Sequence, residues 1–121
     1  MLAIQPRLTL QQQEIAADTQ TLRSLDWDRS RFDIEFGLRN GTTYNSFLVR
    51  GERTALIDSS HAKFRSSWIP ALQEMVDPKT IDVLIVSHTE PDHSGLIGDL
   101  LELNPEIEVV GSKVAINCLQ S

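Results

Sequence analysis

From residue 87 the chain reads Ser87-His88-Thr89-Glu90-Pro91-Asp92-His93-Ser94-Gly95, and four of the six residues from His88 to His93 are types that ligate metals. Two of the three histidines in the sequence fall in this stretch. His88, Glu90 and Asp92 stand at i, i+2 and i+4, so in an extended loop their side chains would project to one side. His93 follows at once and would point elsewhere, toward a neighbouring metal. Two adjacent metals held by His88, Glu90, Asp92 and His93 are therefore expected. Mixed imidazole and carboxylate ligation favours iron or manganese over a thiolate-rich zinc site, and Glu90 supplies a hard anionic oxygen where zinc hydrolases more often place imidazole. Iron is the first choice. A plainer reading makes His88 a rim histidine and lets Glu90, Asp92 and His93 cap the next helix. One acidic residue suffices for a cap, however, and both histidines are then unexplained.

The elements around this stretch would hold it at the end of a sheet. Val83-Leu84-Ile85-Val86 closes a short stretch from Ile81, apolar but for Asp82, that predicts a core strand covered on both faces. Loops beyond the carboxyl ends of such strands are where layered α/β folds gather ligands. After the loop, Leu96, Ile97, Leu100 and Leu101 recur at helical spacing over Ser94 to Leu103 and stop at Asn104-Pro105. A strand over Ile107 to Val110 and a helix over Lys113 to Leu119 complete a βαβα order. Upstream, weak alternation predicts strands over Leu8 to Ile15 and Leu22 to Trp27, with Asp26-Trp27-Asp28-Arg29-Ser30 as a loop. The Asn40-Gly41 turn introduces a hairpin of Thr42 to Arg50 and Thr54 to Asp58. Phe64, Trp68, Leu72, Met75 and Val76 mark one buried helix face, with Ser59 and Ser60 as caps and Pro70 as the start or kink of its second half.

Composition narrows the function classes. With 121 residues one compact α/β domain, or a piece of one, is expected. A formal charge of −6 without clustered Lys and Arg argues against nucleic-acid binding. The longest apolar run is far below the ~20 residues of a membrane span. Residues 1–7 lack the pattern of a secretory leader, which points to a cytoplasmic chain. The single cysteine, Cys118, rules out an internal disulfide and is expected to be a buried apolar residue. Trp27 and Trp68 are read as packing residues, Tyr44 as a strand packing residue, and His61 as an exposed first-turn helix residue.

The segment His88-Thr89-Glu90-Pro91-Asp92-His93 resembles the H-x-E-x-D-H motif of the flavodiiron proteins, members of the metallo-β-lactamase superfamily in which glutamate replaces the second histidine of H-x-H-x-D-H. The likeness extends to Leu25-Asp26-Trp27-Asp28-Arg29-Ser30-Arg31-Phe32-Asp33, to Gly41-Thr42-Thr43-Tyr44-Asn45-Ser46-Phe47-Leu48-Val49 and to Leu56-Ile57-Asp58, and it is greatest with the cyanobacterial diflavin branch. It implies an α+β sandwich of αββα type, of which residues 1–121 would be the N-terminal half. By the same resemblance His88 and Glu90 would serve one iron, Asp92 and His93 the other. The implied activity is an electron-transfer oxidoreductase that reduces dioxygen to water, or nitric oxide to nitrous oxide. Its electrons would come from NAD(P)H through FMN, in homo- or hetero-oligomers. Asp58 is the candidate to orient a ligating imidazole, with a helix cap as its alternative.

The family completes its iron pair with two further histidines and a bridging aspartate, and after His93 this chain has no histidine and no aspartate beyond Asp99. The ligand set is thus expected to be incomplete within these residues, the flavodoxin-like and flavin reductase domains to lie outside them, and the chain alone to be inactive. Two other readings stay open: a zinc-dependent hydrolase of the same superfamily, and a metal-free interaction fragment that self-associates through an uncovered sheet face.

Overall fold

In the computed structural model, residues 7–29, 31–32, 36–37 and 41–121 are described, with residues 31–32 and 36–37 as backbone only. The leader reading of residues 1–6, and Ser30, Asp33 and Asn40 of the sequence motifs, lie outside them.

Alternation of period two yields β1 (Leu8–Ala16) and β2 (Thr19–Asp26), the second starting three residues before the expected Leu22. A small antiparallel ribbon of β3 (Arg31–Phe32) and β4 (Phe36–Gly37) stands apart from the main sheet. The expected hairpin is present as β5 (Thr42–Arg50) and β6 (Thr54–Ile57), paired antiparallel. Gly41 leads into it at φ +78°, where a Cβ would lie 2.0 Å from the Asp26 carbonyl oxygen, so only glycine fits.

A 3₁₀ turn over Ala62–Phe64 precedes α1 (Arg65–Met75). Its N-cap is His61, whose Nδ1 accepts from the Lys63 N–H at 3.1 Å. Ser59 and Ser60 are therefore not the caps they were expected to be; both are fully buried. The helix runs through Pro70 as one element; Pro70 and Ser66, the residue whose carbonyl a non-proline at 70 would bond, are both exposed, so solvent can reach the interruption. Trp68 and Leu72 fill the core as expected.

β7 (Val83–Val86) begins two residues after the predicted run, and its cover is one-sided. Leu84 and Val86 are buried, whereas Val83 and Ile85 are half-exposed together with Phe47, Val49, Ala55 and Ile57 on the same face of the sheet. The strand was expected to be covered on both faces; among the described residues the helices and the core lie on one. Beyond it a short α2 (Pro91–Ser94) forms where a loop was expected, and the helix predicted over Ser94 to Leu103 is a separate α3 (Ile97–Leu103), followed by β8 (Glu108–Gly111) and α4 (Lys113–Gln120), which Ser112 caps. The break between α2 and α3 comes where the Leu96 N–H leaves helical geometry to donate to Ser59 Oγ at 3.2 Å.

The six-stranded sheet has the order β1-β2-β5-β6-β7-β8, antiparallel from β1 to β6 and parallel from β6 to β8. The two parallel connections are the helical crossovers such pairing demands. Leu22, Tyr44, Leu48, Leu56, Leu84 and Val86 point from the sheet into a core with Phe64, Trp68, Leu72, Leu96, Ile97 and Leu100. Two packing expectations fail. Cys118 is exposed, because α4 buries only Ala115, and Trp27 is 44% exposed just beyond the end of β2, its Nε1 donating to Thr9 Oγ1. No helix among the described residues is long and apolar enough to cross a membrane.

Candidate metal centre

β7 ends at Val86, and the next seven residues carry all four candidate ligands beyond its carboxyl end. His88 Nε2 lies 3.2 Å from Glu90 Oε1, both side chains being about half exposed. Pro91 then starts a helical turn, its fixed φ suiting the first position, and the N–H groups of His93 and Ser94 both donate to the Glu90 carbonyl. In that turn successive side chains diverge by about 100° instead of alternating. Consequently His93 does not point elsewhere: its Nε2 lies 3.5 Å from Asp92 Oδ2, and its ring centroid is 5.4 Å from that of His88. The four side chains form two donor pairs, His88 with Glu90 and Asp92 with His93. Among the described residues no three His, Cys, Asp or Glu side chains converge in a group that could hold a metal ion. Each pair alone supplies two donors, fewer than the four to six a bound iron or zinc takes. The capping alternative fails for Glu90, which occupies the N-cap of α2 without a side-chain capping bond.

Under the second pair lies Asp58. The residue is buried and sits in the left-handed region at φ +62°. Its Oδ1 accepts from the Ser87 N–H at 2.8 Å, and its Oδ2 accepts from Ser87 Oγ and lies 3.0 Å from His93 Nδ1. A carboxylate only accepts, so His93 donates from Nδ1 to Asp58, which fixes the orientation of the ring and leaves Nε2 as the atom on the Asp92 side. Asp58 does not cap the following turn, where His61 does so instead. Ser59 extends the support: its N–H and Oγ both donate to the His93 carbonyl at 2.8 Å. Gly95 lets α2 press against this segment, since a Cβ there would meet Ser60 O, Ala62 N and Pro91 O at 2.7 Å.

A second polar cluster adjoins these residues. Asp26 is buried at the end of β2, where it accepts from Tyr44 Oη at 2.6 Å and is paired with Lys63 Nζ. Arg29 donates to Tyr44 Oη at 2.9 Å and lies 5.7 Å from the centre of its ring, and His61 stacks on the same tyrosine with ring centroids 6.0 Å apart. Burial pushes the Asp26 carboxyl upward, but Lys63, Tyr44 and Arg29 outweigh it and hold the carboxyl below the usual aspartate range. Burial and the Asp26 hydrogen bond push the Tyr44 phenol up to about 12. Burial, then Lys63 and Arg29, depress His61, which is half-buried instead of exposed as expected. Sequence reasoning placed Tyr44 in the strand correctly and missed the group around it. The available signal was Leu22, Ser24 and Asp26 at i, i+2 and i+4, which puts an aspartate on the inward face of a strand.

Comparison with known proteins identifies the fold. Residues 42–120 match the ODP family beta lactamase. The putative diflavin flavoprotein A 2 of Synechocystis sp. is 67% identical over 98% of this chain and 20% of its own length. The metal-soaked Flv1 flavodiiron core from Synechocystis sp. superposes with a TM-score of 0.86 at 33% identity, covering 95% of this chain and 28% of that one. Rubredoxin oxygen:oxidoreductase from Desulfovibrio gigas does so with a TM-score of 0.83 at 28% identity, covering 91% and 27%. The chain spans about a fifth of the length of the curated relatives it matches. It belongs to the flavodiiron proteins of the cyanobacterial diflavin type and is part of their metallo-β-lactamase-like domain.

Proposed function

We propose that this chain supplies half of a diiron centre in an electron-transfer oxidoreductase that reduces dioxygen to water or nitric oxide to nitrous oxide. The observation that carries the reading is the pair of donor pairs beyond β7, with Asp58 fixing the orientation of the His93 ring. His88 and Glu90 would hold one iron and Asp92 and His93 the other. The remaining donors would come from outside these 121 residues, in keeping with the fifth of the relatives' length that the chain covers. Two carboxylates among four donors suit iron, and they make the zinc hydrolase the weaker alternative. Bound iron would supply the electrons that dioxygen or nitric oxide accepts. The chain's own part is to orient: Asp58 holds the imidazole of His93, and Ser59 holds its backbone, so that both donors of that pair are in place before a metal arrives. Electrons would reach the site from NAD(P)H through FMN on flavodoxin-like and flavin reductase domains elsewhere in the parent protein, in a homo- or hetero-oligomer in the cytoplasm.

Elemental analysis of the full-length protein tests this reading, together with NAD(P)H-driven consumption of dioxygen and of nitric oxide. Two irons per protomer, with iron and gas consumption lost together in His88→Ala and Glu90→Ala, are expected. Bound zinc with hydrolysis of an ester or lactam would overturn it in favour of the hydrolase.

A further inference from the structure

The peptide between Asp58 and Ser59 is held at both ends. Its carbonyl accepts from Ser46 Oγ at 2.9 Å, and its N–H donates to the His93 carbonyl at 2.8 Å. In a trans peptide these two groups point in opposite directions, so one plane links β5 on one side to α2 on the other. Ser46 is fully buried and stands between Tyr44 and Leu48 on the inward face of β5. The antiparallel ladder of β5 and β6 ends at Phe47 and Ile57, one pair before Ser46 and Asp58 would face each other. There the Asp58 N–H turns to the Ile85 carbonyl of β7 at 2.9 Å, and at φ +62° the Asp58 carbonyl leaves the ladder for the core side, where the Ser46 hydroxyl is its donor. Asp58 is buried, so removal of that hydroxyl would leave the carbonyl without a partner.

We propose that Ser46 is a positioning residue for the candidate ligand His93, acting through the peptide between Asp58 and Ser59. This peptide governs two of the bonds that hold His93. The Ser59 N–H, which bonds the His93 carbonyl, belongs to it, and the Ser46 bond keeps Asp58 in the left-handed conformation from which its carboxylate reaches His93 Nδ1 at 3.0 Å. Left-handed backbone is unfavourable for an aspartate compared with the extended conformation in which β6 would continue. Without the Ser46 bond the peptide relaxes toward that conformation, and His93 loses a backbone contact and a side-chain contact together. The inference rests on the reading of His93 as a metal ligand; the placement of its ring by Ser46 and Asp58 is a property of the chain with or without a metal.

The test compares Ser46→Ala with Ser24→Ala in the full-length protein. Ser24 is fully buried on the inward face of β2 and its hydroxyl bonds that of Ser60 at 2.7 Å, so the control removes a buried hydroxyl bond without touching Asp58. Crystal structures of the metal-free variants should show Asp58 outside the left-handed region and His93 Nδ1 beyond hydrogen-bond distance of its carboxylate in Ser46→Ala, with both unchanged in Ser24→Ala. Affinity for ferrous iron, measured by competition with a chelator, should fall about tenfold in Ser46→Ala, the lower end of what loss of support behind a ligating histidine costs, and stay within about twofold in Ser24→Ala. Ser46→Cys keeps a weaker donor and should fall between wild type and Ser46→Ala; it replaces the alanine variant if that one does not fold. Asp58 remaining left-handed in Ser46→Ala, an unchanged iron affinity there, or an equal loss of affinity in Ser24→Ala would overturn the inference. A full-length protein that binds no iron would defeat the proposed diiron centre, and the crystal structures would still decide whether Ser46 holds His93.

Discussion

His93 Nδ1 lies 3.0 Å from the Oδ2 atom of Asp58, a residue held at φ +62°, one of two non-glycine positions with positive φ among the described residues. Strain and hydrogen bonding thus meet at the group that orients a candidate ligand. Left-handed backbone costs an aspartate roughly 1 kcal/mol, and it persists here because both carboxylate oxygens and the Asp58 carbonyl, which accepts from Ser46 Oγ, are engaged.

Replacing Asp58 by alanine should destabilise the fold by about 2–3 kcal/mol, since the Ser87 N–H loses a charged acceptor while the strained backbone remains. Asp58→Asn should cost less, because asparagine tolerates this backbone and keeps one accepting oxygen. In the full-length protein, however, both variants should weaken metal binding by about 10–100-fold, as removal of a group orienting a ligating histidine does. Chemical denaturation and elemental analysis read the two effects separately. Normal metal content in Asp58→Ala would show that His93 needs no such support.

Much of this arrangement was legible in the sequence because it depends on local period and residue type. The strands, the hairpin and the placement of His88 to His93 beyond a buried strand follow from alternation and turn residues over short stretches. What was not legible depends on contacts far along the chain. Ser59 and Ser60 read as caps by type, but Ser59 is spent on His93 and Leu96, 34 and 37 residues away, and Ser60 on Ser24. Asp26 read as a loop residue until its pairing with Lys63 and Tyr44 made an inward carboxylate stable. The direction of His93 was misjudged for a local reason: Pro91 starts a helix where an extended loop was assumed.

Acid should probe the Asp26 cluster. Its folded-state carboxyl titrates below the ordinary value of 3.8, so the stability it contributes is present above that value and is lost as pH falls through the lower, folded one. Wild-type unfolding free energy should therefore decline below about pH 4, and Asp26→Asn should be less stable at neutral pH with a flatter acid limb. Equal acid slopes in the two proteins would mean that Lys63 and Tyr44 do not stabilise the Asp26 charge.

Alkali gives the opposite sign at Tyr44. Its phenol is raised to about 12 from 10.0 in the folded chain, so its contribution is intact below pH 10 and lost as pH rises toward 12. Tyr44 is the single tyrosine of the sequence, which makes near-ultraviolet tyrosinate absorbance a direct readout. Ionisation should come late or coincide with unfolding, and Tyr44→Phe should lose the steep alkaline decline while costing stability at neutral pH, because Asp26 and Arg29 each lose a partner. Free titration of the folded chain near pH 10 would contradict the buried Asp26–Tyr44 hydrogen bond.

Gly95 and Gly98, two glycines shortly after His93, offer an internal comparison. At Gly95 an added Cβ would meet Ser60 O, Ala62 N and Pro91 O at 2.7 Å, all backbone atoms that no rotamer change can move. At Gly98, in the first turn of α3, the same Cβ would meet nothing within 4 Å. Gly95 has ordinary helical dihedrals, so the obstacle is space and not conformation. Gly95→Ala should cost about 1–3 kcal/mol by overpacking, and should push α2 from the Ser59–Ala62 segment that holds it. Gly98→Ala should be neutral or stabilising by up to about 1 kcal/mol, because alanine favours the helix and narrows the unfolded ensemble. In the full-length protein Gly95→Ala should also lower metal content, since the displaced helix carries Asp92 and His93, while Gly98→Ala should leave it unchanged. Equal stabilities for the two variants would show that α2 is not seated on the Asp58 loop, and would remove the mechanical link between that loop and the donor pair.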